Sequence, residues 1–432
     1  MEVTRIRVES FKSLYELDTV VDHMTVVTGP NGSGKSNLVD AFTFLSDTYR
    51  HGLEFAVSRS GGYENIAHRR TRRAKRPILF EVEIRLSGAE LLESTRVGGR
   101  DRSYVLRGDR QDSYYLVHGF SFRASSQKLT ADFSLVEEHF TLRDQERNEI
   151  VRFDVVAGEL SNSAHHLARP EYSDVQLLFR PFLDQDFAWE RWGRTLEPTE
   201  LLVASWRYGN VLSRCVSYLS RIAVFQLSPH ISRTAGVTTP NAELGRHGDN
   251  LPGAAFALQR GNAKAWREIE SAMKAIMPEL ESISITTTED RRLALQFRAE
   301  GVGKAWNANE VSDGTIQALS MLVALLDPRS SMLIIEEPEN AVHPWILRKI
   351  VDISARANRQ VLFTTHSPVL LDYVESRSIF LMWMREGRSY LKRLVDLDIE
   401  LQEGLISGDI SPFSLYDSGF FPTAVPRGLS SE

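Results

Sequence analysis

The amino-acid sequence predicts an α/β fold built around a mainly parallel β-sheet. Strand-like and helix-like patterns alternate near both ends of the chain, as parallel strands joined by crossover helices require. Near the start, the apolar run 24–27 stops at Gly29, which is typical of a strand buried on both faces. Near the end, the apolar runs 332–335 and 360–364 predict two more buried strands.

The other elements follow from the same periodicities. Apolar residues at helical spacing predict helices at 38–45, 254–276, 316–326 and 346–355. Short or alternating patterns predict strands at 6–9, 78–86, 148–156 and 293–297. We therefore expect an N-terminal lobe (1–86), an α+β insertion (87–220), a C-terminal lobe (221–375) and a C-terminal extension (376–432).

Composition limits the classes of protein to which this chain can belong. The 432 residues are 42% hydrophobic and 25% charged, which excludes collagen-like, low-complexity and wholly disordered proteins. The single cysteine, Cys215, excludes an internal disulfide and a Cys-rich zinc site. No apolar run approaches the roughly 18 residues that a membrane span needs. We expect a cytoplasmic protein without membrane contact.

The clearest motif is a glycine-rich loop between the first buried strand and the helix at 38–45. Residues 29–36 read Gly-Pro-Asn-Gly-Ser-Gly-Lys-Ser, which matches the phosphate-binding pattern G-x-x-x-x-G-K-[ST]. Backbone N–H groups of such a loop surround a β-phosphate, while Lys35 reaches the β- and γ-phosphates and the Ser36 hydroxyl binds Mg²⁺. A chance glycine-rich turn is the alternative, but the flanking strand and helix favour a phosphate loop.

The strand at 332–335 ends in two carboxylates. Parallel strands carry such residues to the edge of the sheet where ligands bind. We expect Glu336 to hold Mg²⁺ and Glu337 to polarise the attacking water. Solvated acids at a strand end are the alternative, which the phosphate loop makes less favourable.

Two further polar segments complete the set. Ser312, before the helix at 316–326, is a plausible N-cap whose free helix terminus could also meet a γ-phosphate. His366 follows the strand at 360–364 and could donate a hydrogen bond to the same phosphate. A lone histidine is more often structural, so its significance depends on the other motifs.

In this order the motifs resemble the heads of ATP-binding-cassette ATPases, in particular the RecF, SMC and OLD-like branch. The Gly-Pro-Asn-Gly-Ser-Gly-Lys-Ser-Asn segment is similar to the Walker A motif of that branch, residues 336–340 to its Walker B motif, and 364–368 to its switch histidine. Weaker similarities to compact bacterial ATP-binding proteins lie at 61–65 and 248–251. The resemblance implies a P-loop NTPase fold, ATP and Mg²⁺ as cofactors, and nucleotide contacts from Lys12, Asn31, Gly32, Ser33, Gly34, Lys35, Ser36, Asn37, Ser312, Asp313 and Gly314.

The resemblance also implies a mechanism. Two heads would close on two ATP molecules, with the Ser312 loop of one subunit against the nucleotide that Lys35 of the other subunit holds, so a homodimer or even-numbered oligomer is expected. Glu337, His366 and Lys35 would be catalytic. Two positions depart from the family pattern, because Glu336 replaces the usual Asp and Asp313 replaces a frequent Gly. Gln226 is a candidate for the glutamine loop.

Two functions remain open. The first is an ATP-gated regulator of a separate toxin or nuclease, as in bacterial phage defence, with the insertion at 87–220 as the partner-binding part. The second is a DNA-linked ATPase in repair or genome maintenance. The lack of sustained heptads argues against a long SMC-type tether.

One local feature points to DNA or RNA, although the net charge of the chain is −6. A short segment is rich in cations that could neutralise phosphates, namely Arg69, Arg70, Arg72, Arg73, Lys75 and Arg76. A solvated loop before the strand at 78–86 is an equally good interpretation of this segment.

Overall fold

The computed structural model describes residues 1–68, 76–93, 112–125, 132–156, 159–160, 197–205 and 211–418. The chain divides into two compact units. The first unit contains Met1–Asp22, Asp40–Arg221 and Met384–Tyr390, and the second contains His23–Val39, Ile222–Trp383 and Leu391–Glu432. These limits differ from the predicted lobes and insertion, whose boundaries stay a prediction.

Strands and helices alternate along the described chain, and both are numbered here in chain order. The strands are Glu2–Phe11 (β1), Leu14–Val20 (β2), Met24–Thr28 (β3), Ile78–Ser87 (β4), Ser113–Ala124 (β5), Phe133–Arg143 (β6), Glu149–Val156 (β7), Glu159–Leu160 (β8), Ile222–Phe225 (β9), Leu280–Thr287 (β10), Leu293–Ala299 (β11), Trp306–Asn307 (β12), Met332–Glu336 (β13), Gln360–Thr365 (β14), Ile379–Arg385 (β15) and Arg388–Arg393 (β16). The helices are Lys35–His51 (α1), Leu53–Arg59 (α2), Tyr63–Ile66 (α3), Gly88–Glu93 (α4), Leu202–Ser205 (α5), Val211–Leu219 (α6), Pro229–Ser232 (α7), Leu251–Gly261 (α8), Ala263–Ile276 (α9), Asp313–Leu326 (α10), Pro344–Ala355 (α11), Pro368–Leu371 (α12), Ile399–Ser407 (α13) and Pro412–Asp417 (α14).

The first unit is built on an antiparallel sheet with the strand order β2-β1-β4-β5-β6-β7-β8. Successive side chains of a strand point to opposite faces of the sheet, and this matches the alternating apolar residues of β4. Every second side chain from Ile78 to Leu86 is at most 1% exposed. Phe44 of α1 stacks on Phe80 of β4 and on Phe122 of β5, with ring centroids 5.0 and 5.8 Å apart. Aromatic packing therefore joins the later turns of α1 to this sheet.

A buried polar trio lies near the C-terminal end of α1 in the first unit. The Tyr49 hydroxyl is 2.6 Å from Nδ1 of His118, whose Nε2 is 3.0 Å from a carboxylate oxygen of Glu138. Glu138 also accepts hydrogen bonds from the backbone N–H groups of Leu202 and Val203. All three side chains of the trio are almost fully buried, so their hydrogen bonds offset the cost of removing them from water.

The second unit contains the predicted parallel sheet. Its strand order is β16-β15-β3-β14-β13-β9, and the pairs β15–β3, β3–β14, β14–β13 and β13–β9 are parallel. β13 and β14 are buried along their whole length, as their continuous apolar sequences predict. The P-loop α/β fold is thus confirmed.

The helical prediction at 254–276 differs from the structure in one respect. Two helices occupy this stretch, α8 and α9, separated at Asn262. The Asn262 side chain accepts a hydrogen bond from the Ala265 N–H and so begins a new helix after Gly261. A separate antiparallel sheet, β10-β11-β12, follows these helices. Within the described ranges, no helix combines the length and apolar character needed to cross a membrane.

Candidate nucleotide-binding site

The parallel register of the second unit brings several predicted motifs to one edge of the sheet. Thr28 at the end of β3 lies opposite Thr365 of β14, and Glu336 at the end of β13 lies opposite Thr364. The loops that follow these strands therefore begin side by side. They carry the glycine-rich segment 29–34, the acidic pair and His366.

The glycine-rich loop requires glycine for steric and conformational reasons. Gly32 and Gly34 have φ values of 76° and 108°, which side chains rarely tolerate. At Gly29, a Cβ atom would lie 2.0 Å from the carbonyl oxygen of Met382. No side chain fits at that distance from a backbone atom, so the loop follows the main chain of β15 closely.

Lys35 is folded back over this loop. Its Nζ donates hydrogen bonds to the carbonyl oxygens of Gly29 and Pro30, at 2.7 and 3.1 Å. Burial lowers the pKa of Lys35 to about 8, although Glu337 and Glu339 act in the opposite direction. Phosphate oxygens could replace these carbonyl acceptors, and they would favour the charged ammonium. Asn31 and Gly32 are exposed at the tip of the loop.

The residues expected at the metal fit Mg²⁺ by their chemistry. Ser36 is exposed in the first turn of α1, and Glu336 ends β13, so a hydroxyl and a carboxylate are both available as hard oxygen ligands. The Glu336 side chain is only 7% exposed, and it already binds a cation: Nη2 of Arg246 is 3.0 Å from Glu336 Oε1. Sequence reasoning missed Arg246.

Glu337 occupies a strained backbone position. Its φ is 48°, while its N–H donates to the carbonyl oxygen of Thr364 at 2.8 Å. Oε2 of Glu337 accepts a hydrogen bond from the Asn340 side chain at 2.7 Å, and Oε1 is 3.6 Å from Nε2 of His366. Burial and the charge of Lys35 lower the pKa of His366, so a neutral imidazole faces the carboxylate near pH 7.

Glu339 organises the start of the loop after β14. A single carboxylate oxygen, Oε1, accepts from the Thr365 hydroxyl at 2.7 Å and from the N–H groups of His366 and Ser367 at 2.9 and 3.0 Å. Sequence reasoning placed Glu339 in the resembling motif but gave it no role. Its pattern of accepted bonds fixes the backbone that carries His366.

The Ser312 loop starts helix α10 as expected for a cap. The Ser312 hydroxyl accepts from the Thr315 N–H at 3.2 Å, which confirms Ser312 as the N-cap. Arg233, missed in the sequence, contacts Asp313 at 2.5 Å and donates to the carbonyl oxygens of Ala308 and Val311, both at 2.9 Å. Ser312 and Asp313 are exposed, so the loop is accessible to a ligand or a partner.

Gly314 in this loop approaches the chain that follows the acidic pair. A Cβ atom at Gly314 would be 3.0 Å from the carbonyl oxygen of Ala341. This contact places the start of α10 against the segment after Asn340, where Ala341 has a φ of 62°. The Ser312 loop and the Glu337 segment are therefore packed together in the second unit.

Lys12 lies in the first unit, in the turn between β1 and β2. Its Nζ is 2.5 Å from a carboxylate oxygen of Asp40 on α1, and its φ is 49°. The structure pairs Lys12 with Asp40, and its nucleotide contact stays a prediction. Gln226 is exposed directly after β9, consistent with a place at the same sheet edge as Glu336.

The basic segment is only partly described. Arg69, Arg70, Arg72, Arg73 and Lys75 lie outside the described residues, whereas Arg76 is described. Arg76 donates to the Glu16 carboxylate at 2.6 Å, and its guanidinium is 5.1 Å from the centre of the Tyr15 ring. Arg388 is 3.8 Å from the same ring. Tyr15 thus contacts two arginines in the first unit.

The chain is similar to one protein family and to several known proteins. The family model described as "AAA domain, putative AbiEii toxin, Type IV TA system" matches residues 24–372. Over 135 residues the chain is 30% identical to the chromosome partition protein Smc of Cereibacter sphaeroides, which is 30% of this chain and 11% of that protein. Over 113 residues it is 29% identical to the DNA replication and repair protein RecF of Streptomyces avermitilis, which is 25% of this chain and 30% of that protein. The chain thus spans less than a third of either curated relative.

Solved structures of SMC heads are also similar. The SmcHead bound to the C-winged helix domain of ScpA has a TM-score of 0.46 at 12% identity, covering 91% of this chain and 97% of that chain. The SMC head domain from Thermotoga maritima has a TM-score of 0.39 at 12% identity, covering 91% and 99%. Because the family model covers most of the sequence, from the strand before the phosphate loop to the helix after His366, the chain belongs to this AAA-domain family.

Proposed function

We propose that this protein binds ATP with Mg²⁺ and hydrolyses it to ADP and phosphate, and that ATP-dependent pairing of two heads controls a partner effector. Lys35 and the N–H groups of residues 31–36 would bind the phosphates, while Ser36 and Glu336 would hold the metal. Bound Mg²⁺ would neutralise part of the phosphate charge. Glu337 would accept a proton from the attacking water.

The observation that supports hydrolysis most strongly is the environment of Glu337. Its carboxylate is oriented by Asn340 on one oxygen and lies near the neutral His366 on the other. The hydrogen bond from its N–H to the Thr364 carbonyl oxygen keeps Glu337 at the end of β13 despite its strained φ of 48°. A carboxylate fixed in this way beside a phosphate loop is suited to orient and deprotonate water.

The test is Glu337→Gln. We expect this variant to bind ATP with nearly unchanged affinity but to lose hydrolysis by about a hundredfold or more, because general-base catalysis contributes roughly that much. Glu268→Gln, at an exposed position of α9, is the matched control and should keep full activity. Undiminished ATP hydrolysis by Glu337→Gln would rule out the proposed base.

The dimeric arrangement rests on the single copy of each motif and on the exposed Ser312 loop. If the Ser312 loop completes the site of a second chain, Glu337→Gln should accumulate as a dimer with ATP and Mg²⁺, because hydrolysis no longer separates the heads. Light scattering during gel filtration measures the mass directly. A variant that stays monomeric while it binds ATP would contradict head pairing.

Control of an effector is favoured by the family description, which names a toxin and a type IV toxin–antitoxin system. The partner-binding part would be the predicted insertion at 87–220, and the setting would be phage defence in the cytoplasm. We expect affinity purification of the Glu337→Gln variant with ATP to retain a small effector encoded by a neighbouring gene. Release of that effector by Lys35→Ala would support nucleotide control, whereas equal retention by both variants would contradict it.

A DNA-linked ATPase is the second candidate, favoured by the contacts of Tyr15. Arg76 and Arg388 both contact the ring, Arg76 follows the basic segment 69–75 in the sequence, and arginine with an aromatic ring is a common combination for binding nucleic acid. The names of the Smc and RecF relatives point the same way. DNA should then stimulate ATPase activity, and Ala at Arg69, Arg70, Arg72 and Arg73 should weaken DNA binding and reduce its salt dependence. Unchanged DNA binding by that variant would exclude the segment as the site.

A further inference from the structure

The segment 245–250 presents an arginine to the acidic end of β13, although the sequence analysis assigned no role to it. Gly245 donates its N–H to the Asp249 carbonyl oxygen, and Gly248 donates to the Gly245 carbonyl oxygen, both at 2.9 Å. Gly248 has a φ of 85°, and a Cβ there would be 2.0 Å from the Ser232 hydroxyl. The turn is therefore tightly packed, and its main chain has little room to move.

The same turn is tied to the end of β9. The Gln226 N–H donates to the carbonyl oxygen of Arg246 at 2.8 Å, and the Ser228 N–H donates to that of His247 at 3.0 Å. These bonds continue from the strand that pairs with β13. The backbone position of Arg246 is thus coupled to Gln226, the candidate of the glutamine loop.

The side chains of Arg246 and Glu336 form an ion pair in which the carboxylate is much more buried than the guanidinium. Nη2 of Arg246 is 3.0 Å from Glu336 Oε1, and the side chains are 35% and 7% exposed respectively. A carboxylate this buried needs a cation, because an isolated buried charge is costly. The guanidinium is the more exposed partner and ends a long side chain, so it can leave this contact more easily than the carboxylate can. A second cation at Glu336 can therefore take the place of Arg246.

We propose that Arg246 is the resting counter-cation of Glu336 and that Mg²⁺ displaces it when nucleotide binds. This inference rests on the proposed nucleotide function of the site. Displacement releases the guanidinium, while the main-chain bond between Gln226 and Arg246 keeps the turn in place. Arg246 is then a positioning residue that competes with the metal for Glu336.

The test compares nucleotide affinity with and without Mg²⁺, using a non-hydrolysable ATP analogue and calorimetry. Removing a competing cation raises the apparent affinity for the metal. The ratio of the affinities in Mg²⁺ and in EDTA should therefore increase about tenfold in Arg246→Gln, which corresponds to loss of one modest ion pair. Arg246→Lys keeps a cation and should stay near the native ratio. Arg356→Gln, at an exposed position after α11, is the control and should not change the ratio.

One result of this measurement would contradict the proposed competition between Arg246 and Mg²⁺. An unchanged or smaller ratio in Arg246→Gln would show that Arg246 does not compete with Mg²⁺ and would overturn the inference. Arg246→Met, which has similar length and no charge, is measured in parallel, and melting curves identify any variant that is poorly folded. If the native protein binds the analogue in neither condition, the proposed function itself fails, which is a different result from an unchanged ratio.

Discussion

At the scale of single residues, the ammonium group of Lys35 is held by backbone oxygens of its own loop. Burial gives it a pKa of about 8, against 10.5 for a free lysine, despite the nearby carboxylates of Glu337 and Glu339. The ligand-free protein therefore loses this charge in mildly alkaline solution. Phosphate groups stabilise the ammonium, so the pKa of Lys35 should rise when nucleotide binds.

This difference in pKa predicts how ATP affinity depends on pH. Below about pH 8, Lys35 is protonated in both states and contributes no pH dependence. Above it, binding must take up a proton, and affinity should fall by up to about tenfold per pH unit. Lys35→Ala should bind ATP weakly and lose this slope, whereas Lys264→Ala, at an exposed position of α9, should keep it. Calorimetry from pH 7 to pH 10 in two buffers measures both affinity and proton uptake.

The stability of the ligand-free protein should show the opposite trend. Between the folded pKa of about 8 and the unfolded value of 10.5, the unfolded chain holds more protons on Lys35 than the folded one. The contribution of Lys35 to the free energy of unfolding therefore increases with pH in that window. Urea unfolding from pH 7 to pH 10 measures this free energy for the native protein and for Lys35→Met. The same pH dependence in both proteins would contradict the lowered pKa of Lys35.

Gly29 lies so close to a neighbouring main chain that no larger residue fits at this position. Gly29→Ala would place a methyl group 2.0 Å from the Met382 carbonyl oxygen, so the phosphate loop must shift and nucleotide affinity should fall at least tenfold. Gly301→Ala is the control, because Gly301 has a φ of 74° but no atom within 4 Å of its Cβ position. That change should cost only about 1–2 kcal/mol of backbone strain. Equal nucleotide affinity in the two variants would contradict the steric argument.

At the scale of elements, the site depends on strand ends that are joined by side chains from neighbouring loops. Glu339 follows β13, yet its carboxylate accepts three hydrogen bonds from the residues at and after the end of β14. Arg246 makes the corresponding connection between the turn after β9 and the end of β13. These contacts hold the loops of separate strands in a common arrangement.

Glu339→Ala should therefore disturb both stability and the position of His366. Loss of the carboxylate leaves the His366 N–H without its acceptor, whereas the Ser367 N–H keeps the Thr365 hydroxyl oxygen at 2.9 Å. The change should cost about 1–3 kcal/mol, because a charged acceptor is lost in a half-buried position. Glu339→Gln keeps an oxygen acceptor and should cost less. Urea unfolding measures the stability, with Glu268→Ala on α9 as the exposed control. A loss no larger than that of the control would show that Glu339 does not organise this loop.

At the scale of the whole molecule, the proposed pairing of heads implies that each nucleotide site uses two chains. Lys35→Ala and Ser312→Arg should each abolish hydrolysis when tested alone. Mixed in equal amounts, half of the dimers would contain one of each, and in those dimers one site combines an intact Lys35 with an intact Ser312. Activity should then recover to about a quarter of the native value.

The mixing experiment also has a clear negative outcome. If Lys35 and Ser312 act on the same nucleotide within one chain, the mixture stays as inactive as its parts. Double variants that carry both substitutions, mixed with native protein, provide the control for simple dilution. The measurement is steady-state phosphate release after the subunits have exchanged.

Much of the second unit could be predicted because the patterns that indicate it are formed by residues close together in the sequence. The buried strands β3, β13 and β14 are continuous apolar runs, and the glycine-rich loop matches a pattern whose spacing reflects phosphate geometry. Helix α10 and its Ser312 cap were also predictable from periodicity and cap chemistry. The break at Asn262 between α8 and α9 was missed, because the apolar stripe continues across it.

The sequence by itself determined the fold class, the match to the phosphate-loop pattern and the order of the predicted motifs, because each depends on residues close together in the chain. Only the tertiary structure showed Arg246 on Glu336, Glu339 on the His366 loop and Arg233 on Asp313. These partners are between 27 and 90 residues apart, and no local pattern encodes such pairs. Burial and the parallel register of the strands bring their charges together, and this explains why the residues that position the predicted motifs could not be found from the sequence.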